Sequence, residues 1–131
     1  MLGDLFASGR AKFLDHLPEN PEPTAKIYVK VRLAGLPGDQ VAQLDTGAAW
    51  SILSPRRRVH LISRFGIHQG RLLRLPITFV AEEGESLHTD GTFFISSDWP
   101  SAVSFLGYSG LLANIRFALD PQSNDFYFGA S

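Results

Sequence analysis

Asp45, Thr46 and Gly47 place a carboxylate, a hydroxyl and a residue without a side chain at three consecutive positions. A carboxylate can act as general acid or base, and a hydroxyl can fix a loop by hydrogen bonding. Glycine lets a ligand's backbone approach, and Ala48 keeps that approach open. Val41 and Leu44 precede the triplet and Trp50, Ile52 and Leu53 follow it, so the acid is expected to be shielded from water, which disfavours its charged form. Asp and Gly are also what ordinary turns prefer, so the triplet alone reads equally well as a plain turn.

The other reactive residue types carry less. Gly107-Tyr108-Ser109-Gly110-Leu111 is a nucleophile-elbow pattern without its final glycine, and no alternating α/β frame surrounds it. Histidines 16, 60, 68 and 88 show neither helical nor finger spacing, so no metal site is expected. The absence of cysteine removes thiolate nucleophiles, disulfide scaffolds and cysteine-ligated zinc. Arg56-Arg57-Arg58 reads as a solvated face at a helix start, and 12 basic against 13 acidic residues leave no global positive field for nucleic acid or anionic lipid. A chain of 131 residues with 44% hydrophobic and 19% charged side chains suits one domain with an ordinary core, and its apolar runs are too short to span a membrane. The start Met1-Leu2-Gly3-Asp4 lacks the charge and apolar run of a signal peptide, so a cytoplasmic location is expected.

Strands must position the triplet. Ile27, Val29, Val31 and Leu33 alternate with Tyr28, Lys30, Arg32 and Ala34, the period of a half-buried strand. Turn residues 35–39 and a second strand at 40–44 complete a hairpin that leads directly into Asp45. Ser54 and Pro55 form a helix start as N-cap and first helical residue. Residues 72–81 and 86–96 read as strands flanking Glu82-Glu83-Gly84-Glu85, and Phe105-Leu106-Gly107 as a buried strand end. A short helical segment at 111–115 and strands at 116–119 and 125–128 follow. Upstream, Leu2, Leu5, Phe6, Phe13, Leu14 and Leu17 have the spacing of an amphipathic helix interrupted near Ser8-Gly9, and prolines 18, 21 and 23 mark a connector. The expected fold is all-β with one or two short helices, organised as an arm over residues 1–24 and a body over 25–131.

Strand, then Leu44-Asp45-Thr46-Gly47-Ala48, then a short apolar strand, and much later Phe105-Leu106-Gly107 followed by a short helix at Leu111-Leu112, resembles the retropepsin-like aspartic proteases over about residues 25 to 129. The ending Arg116-Phe117-Ala118-Leu119-Asp120-Pro121 with Phe126-Tyr127-Phe128-Gly129 is similar to the bacterial and archaeal single-domain members. The resemblance implies an acid-protease barrel and peptide-bond hydrolysis without metal or organic cofactor. Such chemistry needs two carboxylates, and this chain has one such loop, because Asp90-Gly91-Thr92 has the wrong order. The second then comes from another copy, so a homodimer with an Asp45/Asp45′ dyad on its two-fold axis is implied. Two unit charges about 4 Å apart repel by roughly 4 kcal/mol at an effective dielectric near 20, so the pair holds one shared proton through mildly acidic pH, as in aspartic proteases generally.

The resemblance also assigns roles. One Asp45 acts as base on water while its protonated counterpart donates to the scissile carbonyl; Thr46 bonds across the axis, and the Gly47 carbonyl accepts from substrate. Ala48, Ala49, Trp50, Phe105, Leu106 and Gly107 line the peptide site, with Trp50 either packed in the core or walling the cleft. A closing hairpin is expected at Phe65-Gly66-Ile67-His68-Gln69-Gly70, with Gly66, Ile67 and His68 at its tip; the Glu82–Glu85 turn is the alternative, whose charges suit a solvated hairpin. Two departures stand out: Ala49 where retroviral members have an aspartate, and Tyr108-Ser109 where they have an arginine and a polar residue. These leave open a second reading, a weakly active or inactive dimeric interaction module on the same fold.

Overall fold

The computed structural model describes residues 7–18, 24–33, 36–59, 70–96, 99, 101 and 103–131. Among the described residues, ten strands run in the order β1 (Gly9–Lys12), β2 (Tyr28–Leu33), β3 (Gln40–Leu44), β4 (Ser51–Ile52), β5 (Leu72–Phe79), β6 (Glu83–Gly84), β7 (Leu87–Phe94), β8 (Ser104–Leu106), β9 (Ile115–Asp120) and β10 (Asp125–Ala130). A 3-10 turn, Leu112–Asn114, precedes β9, and residues 55–59 form a helical turn. That turn begins as expected, with the Arg57 amide donating to Ser54 Oγ at 3.4 Å. The fold is all-β.

Six strands close a barrel in the order β2-β3-β8-β4-β7-β5, and the other four form a sheet ordered β6-β1-β10-β9. The β2–β3 hairpin pairs Tyr28 with Gln43 and Val31 with Gln40. The β5–β7 pair extends over eight residues of each strand, from Leu72 opposite Phe94 to Phe79 opposite Leu87. Val29, Val31, Ala42, Leu53, Ile77, Phe93 and Leu106 fill the barrel. Phe79 joins it to the second sheet, its ring centroid 5.8 Å from that of Phe126 and 6.0 Å from that of Phe128. All three rings are fully buried.

The amino-terminal segment departs from the helix expected there. Residues 9–12 are a strand, antiparallel to β10 with Gly9 opposite Phe128 and Lys12 opposite Asp125. From residue 7 to 13 the buried positions alternate as Ala7, Gly9, Ala11 and Phe13. Three of these four are alanine or glycine, which carry little apolar signal, so the larger side chains around them suggested the wrong period. The Glu82–Glu85 turn is exposed, as its charges suggest, and it is also tied to β1. Gly84 pairs with Gly9, the Glu82 and Glu85 amides donate to the Arg10 and Ser8 carbonyls at 2.8 Å, and Arg10 meets Glu83 at 3.1 Å. Gly84 has φ of 80° and lies against the Ser8 carbonyl with no room for a Cβ, so this contact demands glycine. The expected closing hairpin at 65–70, with Gly66, Ile67 and His68, lies outside the described residues apart from Gly70.

Candidate functional site

Asp45 sits where strand order and chain direction force a crossing. β3 runs parallel to β8 with Leu44 opposite Leu106, while β4 runs antiparallel on the other side of β8 with Ile52 opposite Phe105. Residues 45–50 therefore leave one neighbour of β8, pass over its carboxyl end and descend as the other neighbour. The loop is held on that end by backbone groups. Asp45 N donates to the Leu106 carbonyl at 3.0 Å, and the Tyr108 and Ser109 amides donate to the Ala48 and Ala49 carbonyls at 2.8 Å each.

Inside the loop, the Ala48 amide donates to the Asp45 carbonyl at 3.2 Å, and the Gly47 amide donates to Asp45 Oδ1 at 3.0 Å. The carboxylate thus organises its own turn with one oxygen. Asp45 is half-buried, and Thr46 and Gly47 are exposed. The shielding expected from the apolar frame is only partial within this one chain. Ala48 is half-buried and Ala49 exposed. Trp50 is 41% exposed beside the loop and so is no core residue; Tyr108, across the crossing, is 51% exposed.

Phe105, Leu106 and Gly107 underlie the loop. Leu106 belongs to the core, and Phe105 is half-buried with its ring edge-on to Trp99 at 4.7 Å. A Cβ at Gly107 would lie 2.5 Å from the carbonyl carbon and oxygen of Trp50 and 2.9 Å from the Ser51 amide nitrogen, so only glycine allows β8 and the loop to pass this closely. The Gly107 amide donates to Ser51 Oγ at 2.8 Å, and both residues are buried.

Ser51 and Arg74 escaped the sequence reading. Ser51 looks like any polar loop residue until its buried bond to Gly107 is seen. Arg74, on β5, donates through Nη1 to Thr92 Oγ1 at 2.9 Å and to the Gly110 carbonyl at 3.3 Å, while the Thr92 amide donates to the same carbonyl at 3.1 Å. Arg74 and Thr92 together fix the turn that follows Tyr108-Ser109. Neither has a sequence signature, since each acts on a neighbour that is close only in space.

Comparison with protein-family models and with curated proteins finds no match. Among solved structures, the crystal structure of a retropepsin-like aspartic protease from Rickettsia conorii superposes with a TM-score of 0.55 at 15% identity, covering 93% of this chain and 90% of that one. The fold is the retropepsin-like barrel. Within that fold, Asp45-Thr46-Gly47 stands on the β3–β4 crossing over β8. Among the described residues no three His, Asp or Glu side chains gather as a metal site. His16 contacts Asp15 Oδ1 at 3.0 Å and His88 contacts Thr78 Oγ1 at 2.8 Å, while His60 and His68 lie outside the described residues.

Proposed function

We propose that this chain is an aspartic endopeptidase that hydrolyses peptide bonds with two Asp45 carboxylates, one from each subunit of a homodimer. The observation that carries the reading is the half-exposed Asp45 at the crest of a backbone-braced loop on a retropepsin-like barrel. One carboxylate takes a proton from water as the water oxygen bonds to the scissile carbonyl carbon, and the protonated partner donates to the carbonyl oxygen. The tetrahedral intermediate then breaks its C–N bond as the amine nitrogen gains a proton, releasing acid and amine. Exposed Thr46 and Gly47 support the approach of a second copy, and exposed Trp50 and Tyr108 supply apolar surface beside the carboxylates for a peptide.

The test is incubation of the purified protein and an Asp45→Asn variant with a diverse peptide library across acidic to neutral pH, read by mass spectrometry, with sedimentation run alongside. Cleavage by the parent that vanishes in the variant supports the reading. Absence of cleavage at every pH by a protein that is dimeric refutes it. That result favours the interaction module, a reading to which Ala49 and the Tyr108-Ser109 pair also point.

A further inference from the structure

The opposite end of the barrel from Asp45 holds a concavity of about 260 Å³ that the peptidase reading does not use. It opens where β3 and β8 begin, and Gln40 is roughly 16 Å from Asp45 along β3 at about 3.3 Å per residue. Gln40, Arg56 and Arg57 line one part of it and Leu17, Val41 and Val103 another.

The polar part is unbalanced. Arg57 is half-buried and Arg56 exposed at the rim, and neither has a carboxylate partner among the described residues. The acid next to Gln40 in sequence, Asp39, is engaged by Arg32. Among the described residues the Arg57 guanidinium has a long 3.5 Å contact from Nη1 to the Pro37 carbonyl, and burial together with the Arg56 charge lowers its pKa. Gln40 Nε2 is buried and unpaired. The serine oxygens nearby each accept a backbone amide: Ser104 Oγ from the Ser54 amide at 2.8 Å, and Ser54 Oγ from the Arg57 amide at 3.4 Å. Two arginines thus line one space beside a buried, unpartnered amide, and among the described residues no carboxylate meets them.

We infer that this cavity is a binding site for a small organic phosphate monoester, its phosphate held by Arg56 and Arg57 beside Gln40 and its carbon portion against Leu17, Val41 and Val103. A phosphate monoester carries a charge of about −2 at neutral pH with three acceptor oxygens, which matches two guanidiniums. A single carboxylate leaves one guanidinium uncompensated.

The experiment titrates the full-length, ¹⁵N-labelled protein with phenyl phosphate, inorganic phosphate and benzoate at matched ionic strength. The Gln40 side-chain amide signal, identified by its loss in Gln40→Leu, is followed alongside calorimetry. Phenyl phosphate should move that signal and bind more tightly than inorganic phosphate, which lacks the apolar part, and more tightly than benzoate, which carries one charge. Arg57→Gln should weaken phenyl phosphate by about tenfold or more, as expected for loss of a charge-assisted bond. An unmoved Gln40 signal at about 10 mM phenyl phosphate, a range that would still detect millimolar affinity, overturns the proposal. So does benzoate binding as tightly as phenyl phosphate. The ligand series on the unaltered protein decides the matter even if Arg57→Gln fails to fold, and neither arm depends on peptidase activity.

Discussion

Replacing Gly107 by alanine tests the crossing on which the candidate site stands. The added Cβ would lie 2.5 Å from the Trp50 carbonyl group, roughly 1 Å short of ordinary contact, and 2.9 Å from the Ser51 amide nitrogen. Both neighbours are backbone, so no side chain can swing away. Separating β8 from residues 50–51 also pulls the Gly107 amide from Ser51 Oγ, a buried 2.8 Å bond whose donor then has no partner. Overpacking costs about 1–3 kcal/mol and the orphaned donor about 1–3 kcal/mol, a large share of a typical total of roughly 5–15 kcal/mol. The expected result is a fall of more than about 1 M in the urea midpoint at unchanged slope. Gly38→Ala is the control: its φ is 75° but nothing lies within 4 Å of the added Cβ, so it costs only about 1–2 kcal/mol of left-handed strain. A Gly107→Ala protein no less stable than Gly38→Ala would refute the packing argument. If the variant folds, any peptidase activity should fall as well, because the Tyr108 and Ser109 amides that hold the Asp45 loop directly follow residue 107.

Asp45→Asn should leave the thermal midpoint within a few degrees of the parent, since an amide oxygen can still accept from the Gly47 amide at the half-exposed loop. Loss of cleavage in that variant then reports chemistry rather than unfolding. Phe79→Ala should cost about 3–5 kcal/mol in chemical denaturation, because the ring is fully buried against Phe126 and Phe128 where barrel and second sheet meet; a loss below about 1 kcal/mol would show that the two layers do not fold as one unit. Hydrogen bonds from Ser123, Lys12 and Arg10 hold the Asp125 carboxyl at about 2, below its ordinary value of 3.8. A lowered folded-state value favours the folded protein above the ordinary value, and that contribution disappears as pH falls from about 4 through about 2. Denaturation midpoints measured across that window should drop in the parent and flatten in Asp125→Asn; equal slopes in both would exclude Asp125 as the source.

The body of the fold was legible because its strands alternate cleanly. Val29, Val31 and Leu33 face inward at every second position, and the expected second strand matches β3 at Gln40–Leu44. β1 was illegible because its inward residues are Gly9 and Ala11, whose small side chains fit where two sheets pack closely but give no apolar period. β6 has two exposed residues and exists because β1 lies beside it. The parallel pairing of β3 with β8 joins segments some sixty residues apart, and nothing local to either strand announces it.

The same division runs through the candidate site. Its chemistry is concentrated in one contiguous triplet, so the residue types alone drew attention to Asp45. Its support comes from β8 and the turn after it, chiefly through amides of Gly107, Tyr108 and Ser109, and any residue except proline can supply an amide. This changes the weight of the Tyr108-Ser109 departure. Their side chains differ from the arginine and polar residue that the resemblance implies, yet their backbone groups still hold the Ala48 and Ala49 carbonyls at 2.8 Å. The departure therefore leaves positioning of Asp45 within one chain intact. Its consequence falls on the surface around the loop, where Tyr108 is 51% exposed and Trp50 41% exposed, and where a second copy or a peptide would have to meet aromatic rings in place of ion pairs.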